Sequence, residues 1–122
     1  GSSRRDALRN LQPVLDPAGL AQLQQAVQAV HVSDALIDYL QNLLDATRDG
    51  RWFEQGLSPR AGLAILQAAK ARALLSGRDY VAPDDVQVIL PHTAAHRLVP
   101  VSTAGRGAVE QIHALLRSVP LQ

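Results

Sequence analysis

Gly56-Leu57-Ser58-Pro59-Arg60-Ala61-Gly62-Leu63-Ala64-Ile65-Leu66-Gln67-Ala68-Ala69-Lys70-Ala71-Arg72-Ala73-Leu74-Leu75-Ser76-Gly77 is the stretch whose reading decides the fold. Ser58 followed by Pro59 is a cap and then a first helical residue, because a Ser hydroxyl satisfies an orphan amide and Pro loses no hydrogen bond there. The Ala and Leu that follow are the strongest helix formers, and Ser76-Gly77 supplies the stop. Leu63, Leu66, Ala69, Ala73 and Leu74 are expected to face inward. The small Ala side chains let neighbouring helices approach closely, so a bundle packs densely without aromatic bulk.

The same punctuation recurs on both sides. Asp16-Pro17 opens a helix carrying Leu20, Leu23, Val27 and Val30 at helical spacing. Ser33 caps a second helix with Asp34 and Asp38 near its positive end, a stripe of Leu36, Leu40, Leu43 and Leu44, then Arg48 and Gly50 at its close. Residues 49 to 57 have no period and hold Trp52 and Phe53, which anchor this loop against the bundle. Downstream, Pro83-Asp84-Asp85 starts a helix whose two acids complement the dipole, behind a poor cap at Ala82. Its buried face is Val86, Ile89 and Leu90. Pro91 is expected to kink or restart it, with continuation through His96. Leu98 to Val101 reads as extended, and a last amphipathic helix spans Ala104 to Ser118 with Val109, Ile112, Leu115 and Leu116 on one side.

Composition agrees. The chain has 122 residues, 47% of them hydrophobic and only 3% aromatic, with 19 Ala and 19 Leu. This is the composition of one all-α domain, a small bundle of four to five helices. A net charge of +1 argues against a chain that lives by gripping nucleic acid. The lack of Cys removes disulfide scaffolds and thiol chemistry and fits a reducing compartment. No apolar run approaches the roughly 20 residues of a membrane span, so the reading is cytoplasmic. Gly1-Ser2-Ser3 resembles the remnant of a removed tag, with residues 4–16 a linker, 17–98 the bundle and 99–122 a C-terminal helix packed on it.

The chemistry-bearing residues are few. His92 and His96 are four apart and on a helix could share a face, but no third ligand stands at a telling spacing, so no metal is assigned. Asp84 and Asp85 point about 100° apart on a helix and do not converge on one atom, which favours helix-start electrostatics over acid–base work. Ser33, Ser58 and Ser102 have no nucleophile-elbow context. Gly-x-x-x-x-Gly-Lys-Ser/Thr is absent, so the chain holds no phosphate-cradling loop. Eleven of the twelve basic residues are Arg, against the single Lys70, which suits bidentate recognition of phosphate or carboxylate. Arg60 stands out as the second residue of a helix whose N-terminus presents free amides and the positive dipole end.

Gly56-Leu57-Ser58-Pro59-Arg60-Ala61, the Ala-rich helix and Gly77-Arg78-Asp79-Tyr80-Val81-Ala82-Pro83-Asp84-Asp85-Val86 together resemble the C-terminal lid subdomain of MoxR-type AAA+ ATPases. Val30-His31-Val32-Ser33 leading into Asp38-Tyr39-Leu40, Ala46-Thr47-Arg48, and His96-Arg97-Leu98 follow in the family's order, so the resemblance covers about residues 12 to 98. It implies that Ser58-Pro59-Arg60 is the sensor 2 element and that Arg60 reaches the terminal phosphates of ATP, held with Mg on a large subdomain. Tyr39 is placed either beside the adenine or in the core or hinge. Arg48, Arg78 and Arg97 are expected in structural pairing, with Asp79 or Asp85 as partners. Arg51-Trp52-Phe53-Glu54 does not map onto the family.

The resemblance further implies a ring, usually a hexamer, whose neighbouring subunits and large subdomain are the lid's partners, and client proteins that carry von Willebrand factor A domains. The P-loop and arginine finger lie outside this sequence, so the isolated chain is expected not to be an enzyme, and its longer parent an ATPase. The competing reading is a free-standing adaptor or a helix-turn-helix-like DNA-binding module around Gly77, with the recognition helix starting at Pro83. Asp84 and Asp85 would repel phosphates there.

Overall fold

Each capping expectation can be followed into local structure in a computed structural model that describes residues 16–121. The expected tag remnant at 1–3 and the linker at 4–16 lie, but for Asp16, outside the described residues. Five helices follow in order: α1 Pro17–Gln28, α2 Asp34–Arg48, α3 Pro59–Leu75, α4 Pro83–Ala94 and α5 Ala108–Ser118. Asp16 accepts the Gly19 N–H at 2.7 Å, Ser33 the Leu36 N–H at 3.1 Å and Ser58 the Ala61 N–H at 3.1 Å. All three caps therefore act as their sequence positions dictate.

The end of α3 is equally well specified. Gly77 sits at φ +82°, a left-handed conformation that glycine adopts without cost. Its N–H donates to the Leu74 carbonyl, and the Arg78 N–H donates to that of Ala73, both at 2.9 Å. This Schellman closure turns the chain sharply toward α4. The two helices pack along each other, while α1 lies on α3 and α5 on α2 and α4.

One core unites the bundle. Leu36, Leu43 and Leu44 of α2, Ile65 and Leu74 of α3, Leu90 of α4, and Ile112 and Leu115 of α5 are buried together, with Phe53 from the loop. Phe53 is fully buried and Trp52 half-buried under the Arg51 guanidinium, so Phe53 is the anchor and Trp52 its cover. The extended reading of 98–101 holds: Glu54 N–H donates to Val99 O and Val101 N–H to Trp52 O, making an antiparallel bridge between the loop and this segment. A parallel bridge joins His31 to Tyr80.

Several expectations are corrected. Helix α4 runs through Pro91 and ends at Ala94, with residues 95–97 in a turn, so it does not continue to His96. Pro91 has no N–H to give to the turn before it, which weakens the ladder where the helix is about to end. Helix α5 begins at Ala108 behind Gly107, because a turn at 102–104 and Gly105 at φ +70° interrupt the segment that starts at Ala104. Leu63, expected to face inward, is exposed at 63%, and Leu20 and Val109, members of the apolar sets on the first and last helices, are exposed at 45% and 48%. In α3 the inward stripe is Ala61, Ile65, Ala69 and Ala73, one residue every four, which turns Leu63 outward.

Candidate functional site

The N-terminus of α3 is assembled from three pieces of chain. Pro59 occupies the first helical position and Ser58 takes the N–H of the third, so of the first three amide positions only that of Arg60 remains open. The expectation of several free amides is thereby narrowed. What the helix start offers an anion is the dipole and, above all, the Arg60 guanidinium. Arg60 is exposed and holds no ion pair or side-chain hydrogen bond among the described residues.

The segment before it is clamped from α2. The Leu57 N–H donates to Thr47 Oγ1 at 3.0 Å, and Arg48 Nε–H donates to the Leu57 carbonyl at 2.7 Å. Gly56 lies against the Arg48 backbone so closely that a Cβ there would meet Arg48 Cγ at 2.2 Å. Arg48 thus pairs chiefly with a backbone carbonyl, with Asp45 a looser partner at 3.6 Å. Beside this corner runs an apolar groove of about 380 Å³, lined by Ile37, Leu40, Leu44, Pro59, Leu63 and Leu66. Ile37 and Leu63 are well exposed along it.

Tyr39 does not reach this corner as an open ring. It is 1% exposed, packed in the core, and its hydroxyl accepts a hydrogen bond from Gln87 Nε2 at 3.1 Å. Of the two positions considered for it, the structure places it in the core.

At the other end of α3 the arginines are spoken for. Asp85 is fully buried, and its Oδ1 accepts from Arg72 and Arg78 at 2.6 Å each. Its Oδ2 accepts from Arg78 and from the Ala82 N–H at 2.7 Å each. Burial alone pushes this carboxyl up, but the hydrogen bonds from Arg78, the Ala82 amide and Arg72 more than offset it, and the net shift is downward. The Asp85 hydrogen bond in turn raises the Arg78 guanidinium, against the opposing effect of its own burial. Asp85 also supplies the reciprocal half of a capping box, its carboxylate accepting the Ala82 N–H, while Ala82 has no side-chain acceptor to give in return. The expected pairing of Arg78 with Asp85 is present, and Arg72 joins it. Arg97 is exposed.

The remaining candidates do not converge. Asp84 points outward, 3.7 Å from Arg72, while Asp85 points inward. That exposed carboxylate stands in the first turn of the helix which a DNA-binding reading would set against phosphates. His92 is exposed on α4 and His96 lies beyond its end, so the shared helical face is lost. Among the described residues no three His, Asp or Glu side chains could share a metal ion, and no helix is long and apolar enough to cross a membrane.

Two participants escape sequence reasoning. Thr47 is a buried polar residue near a helix end, where nothing in its spacing separates it from a solvated one. Gln111 is 2% exposed and donates to the Trp52 carbonyl at 2.8 Å while accepting from Arg106 Nε, which ties α5 to the loop.

Comparison with known proteins places this architecture. Residues 45–116 match the family model of the AAA lid domain. An uncharacterised Bacillus subtilis (strain 168) protein, YeaC, is 38% identical over 92 residues, which is 75% of this chain and 29% of that protein. Chaperone MoxR1 of Mycobacterium tuberculosis is 39% identical over 95 residues, 70% of this chain and 25% of its own. A crystal structure from Cytophaga hutchinsonii, of a protein named provisionally as an ATPase, has a TM-score of 0.79 at 26% identity and covers 89% of this chain and 37% of that one. The chain spans about a quarter to a third of the length of the curated relatives it matches.

Proposed function

The chain belongs to the AAA lid domain family, of the MoxR type, and on that premise we propose that it is the nucleotide-sensing lid of a longer ATPase, with Arg60 as its sensor. The observation that carries the proposal is an exposed arginine without a partner among the described residues, held at the start of a helix by a capped and clamped corner. A planar, permanently charged guanidinium fits the terminal phosphates of ATP, which it engages through two parallel hydrogen bonds. The phosphates and Mg²⁺ belong to a large subdomain outside this chain. Arg60 supplies charge to the phosphoryl group as it transfers, and Ser58 and Pro59 hold the helix start that carries it.

Sensing becomes movement because the lid is one packed body. When the terminal phosphate leaves, Arg60 loses its partner and the lid rotates as a unit against the large subdomain. The apolar groove beside Arg60, with Ile37 and Leu63 exposed along it, is the face this reading gives to that subdomain. The wider assignments are a ring of such subunits, usually six, in the cytoplasm, acting on client proteins that carry von Willebrand factor A domains; these rest on family membership.

The test is ATP turnover by the longer polypeptide. Arg60→Ala is expected to lower kcat by tenfold or more while the helical signal is unchanged, on the order of what a lost charge-stabilising donor costs. Equal turnover by mutant and wild type would sink the sensor assignment and leave a lid that acts only mechanically.

A further inference from the structure

Both polar groups of one peptide residue, Leu57, are held by two consecutive side chains of α2. The N–H goes to Thr47 and the carbonyl takes Arg48 Nε. Thr47 has no freedom to turn away. It is 1% exposed, and its hydroxyl proton is already given to the Leu44 carbonyl at 2.6 Å, which leaves an oxygen lone pair aimed at Leu57. Gly56 seats the same strand of chain directly on the Arg48 backbone, with hypothetical Cβ distances of 2.6 Å to Arg48 Cα and 2.7 Å to its N.

The position of this clamp matters more than its strength. Leu57 is buried, the next residue is the cap Ser58, and the one after is Pro59, whose ring fixes φ. Only two residues therefore separate the clamped Leu57 from Arg60, one held as the cap and the other fixed by its ring. A loop tied down only for stability could be fastened anywhere along residues 49–57. Trp52 and Glu54 do fasten the loop to residues 98–101 and to α5, but both side-chain hydrogen bonds that come from α2 fall on the last residue before the cap.

We infer that Thr47 and Arg48 are positioning residues for Arg60, transmitting the placement of α2 to the guanidinium through the Leu57 peptide. The inference rests on the sensor reading of Arg60. Thr47 is the decisive member, because a residue so buried cannot touch nucleotide and acts only through what it holds. Arg48 is partly exposed and lines the groove, so its own charge would confuse the result.

The experiment is a double-mutant cycle on kcat for ATP in the longer polypeptide, read well below each variant's unfolding temperature. Thr47→Val keeps the shape and deletes the hydroxyl; Thr47→Ser restores it. Thr47→Val is expected to lower kcat about tenfold, since small misplacements of a group acting at the reacting centre are costly. Thr47→Ser should stay within about twofold of wild type. In an Arg60→Ala background, Thr47→Val should cost nothing further. An equal loss in both backgrounds, no loss in either, or a failure of Thr47→Ser to rescue would each overturn the positioning role. Arg60→Ala turning over like wild type is a different result: it removes the sensor reading itself, and this inference with it. Should Thr47→Val fail to fold, Thr47→Ala, which deletes the same hydroxyl without adding a branched methyl, takes its place in the cycle, with a similar loss expected and the same outcomes deciding.

Discussion

Helix α3 ends in arginines on both sides, and the two ends use them oppositely. At the C-terminal end Arg72 and Arg78 converge on a fully buried carboxylate that takes four hydrogen bonds, leaving little of its charge unspent. At the N-terminal end Arg60 meets no carboxylate among the described residues, although the backbone beneath it is held as firmly. Charge at one end is consumed in holding α3 to α4; at the other it is kept available on a rigid mount. Two arginines of one helix can thus be assigned different work from their partners alone, before any ligand is considered.

The comparison breaks most visibly at Asp85. Replacing it with Ala leaves the Ala82 N–H without its acceptor and two guanidinium groups facing each other across a small cavity. Both arginines retain partial access to water, so the cost falls near the lower bound for a broken buried pair, about 3 kcal/mol. Urea unfolding of this chain is the measurement, and a loss under about 1 kcal/mol would mean the cluster is ornamental to the fold. Acid probes the same group more gently. The folded carboxyl titrates below its unfolded value of about 3.9, so its contribution is complete above about pH 5 and is lost as pH falls through the folded value. The gap in stability between wild type and Asp85→Ala should therefore be constant from pH 7 to 5 and narrow below pH 4. A gap that widens on acidification would reverse the sign assigned to Asp85.

Much of this arrangement was legible in the sequence, for reasons that differ by residue. Asp16, Ser33 and Ser58 announce helix starts because a cap depends on a local hydrogen bond, which local sequence determines. Gly77 announces a stop because its backbone conformation excludes most other residues. Orientation is where reading fails. Helix α3 is apolar nearly all round, so periodicity cannot choose between the Ala61–Ile65–Ala69–Ala73 stripe and one containing Leu63; contact with α4 makes the choice, and Leu63 is turned to the groove. On α5, Val109 shares a side with Ile112 and Leu115 in the pattern yet is exposed, while a polar residue, Gln111, is buried and satisfies the Trp52 carbonyl. At the site, the resemblance drew attention to Arg60 and to Ala46-Thr47-Arg48 separately, yet nothing in one dimension joins Thr47 to Leu57, ten residues away. Long-range hydrogen bonds to backbone leave no periodic trace.

The smallest effect predicted is also the sharpest test of the contrast between the two ends. If Arg60 is a mounted reagent and not a structural member, Arg60→Ala should leave the stability of this chain within about 0.5 kcal/mol of wild type, as expected of an exposed side chain that itself takes no part in the cap, the core or a network. Alanine is the better helix former by only a few tenths of a kcal/mol. Removing a positive charge from the positive end of the helix dipole acts in the same favourable direction, by a similar amount. The expected sign is thus neutral to slightly stabilising, whereas an arginine recruited into an internal pair would destabilise on removal. A urea midpoint for Arg60→Ala well below that of wild type would show that the N-terminal arginine is spent on the fold as the C-terminal pair is. A midpoint equal or higher would leave its charge unused by the lid itself, which is the condition any sensor of a ligand held elsewhere must meet.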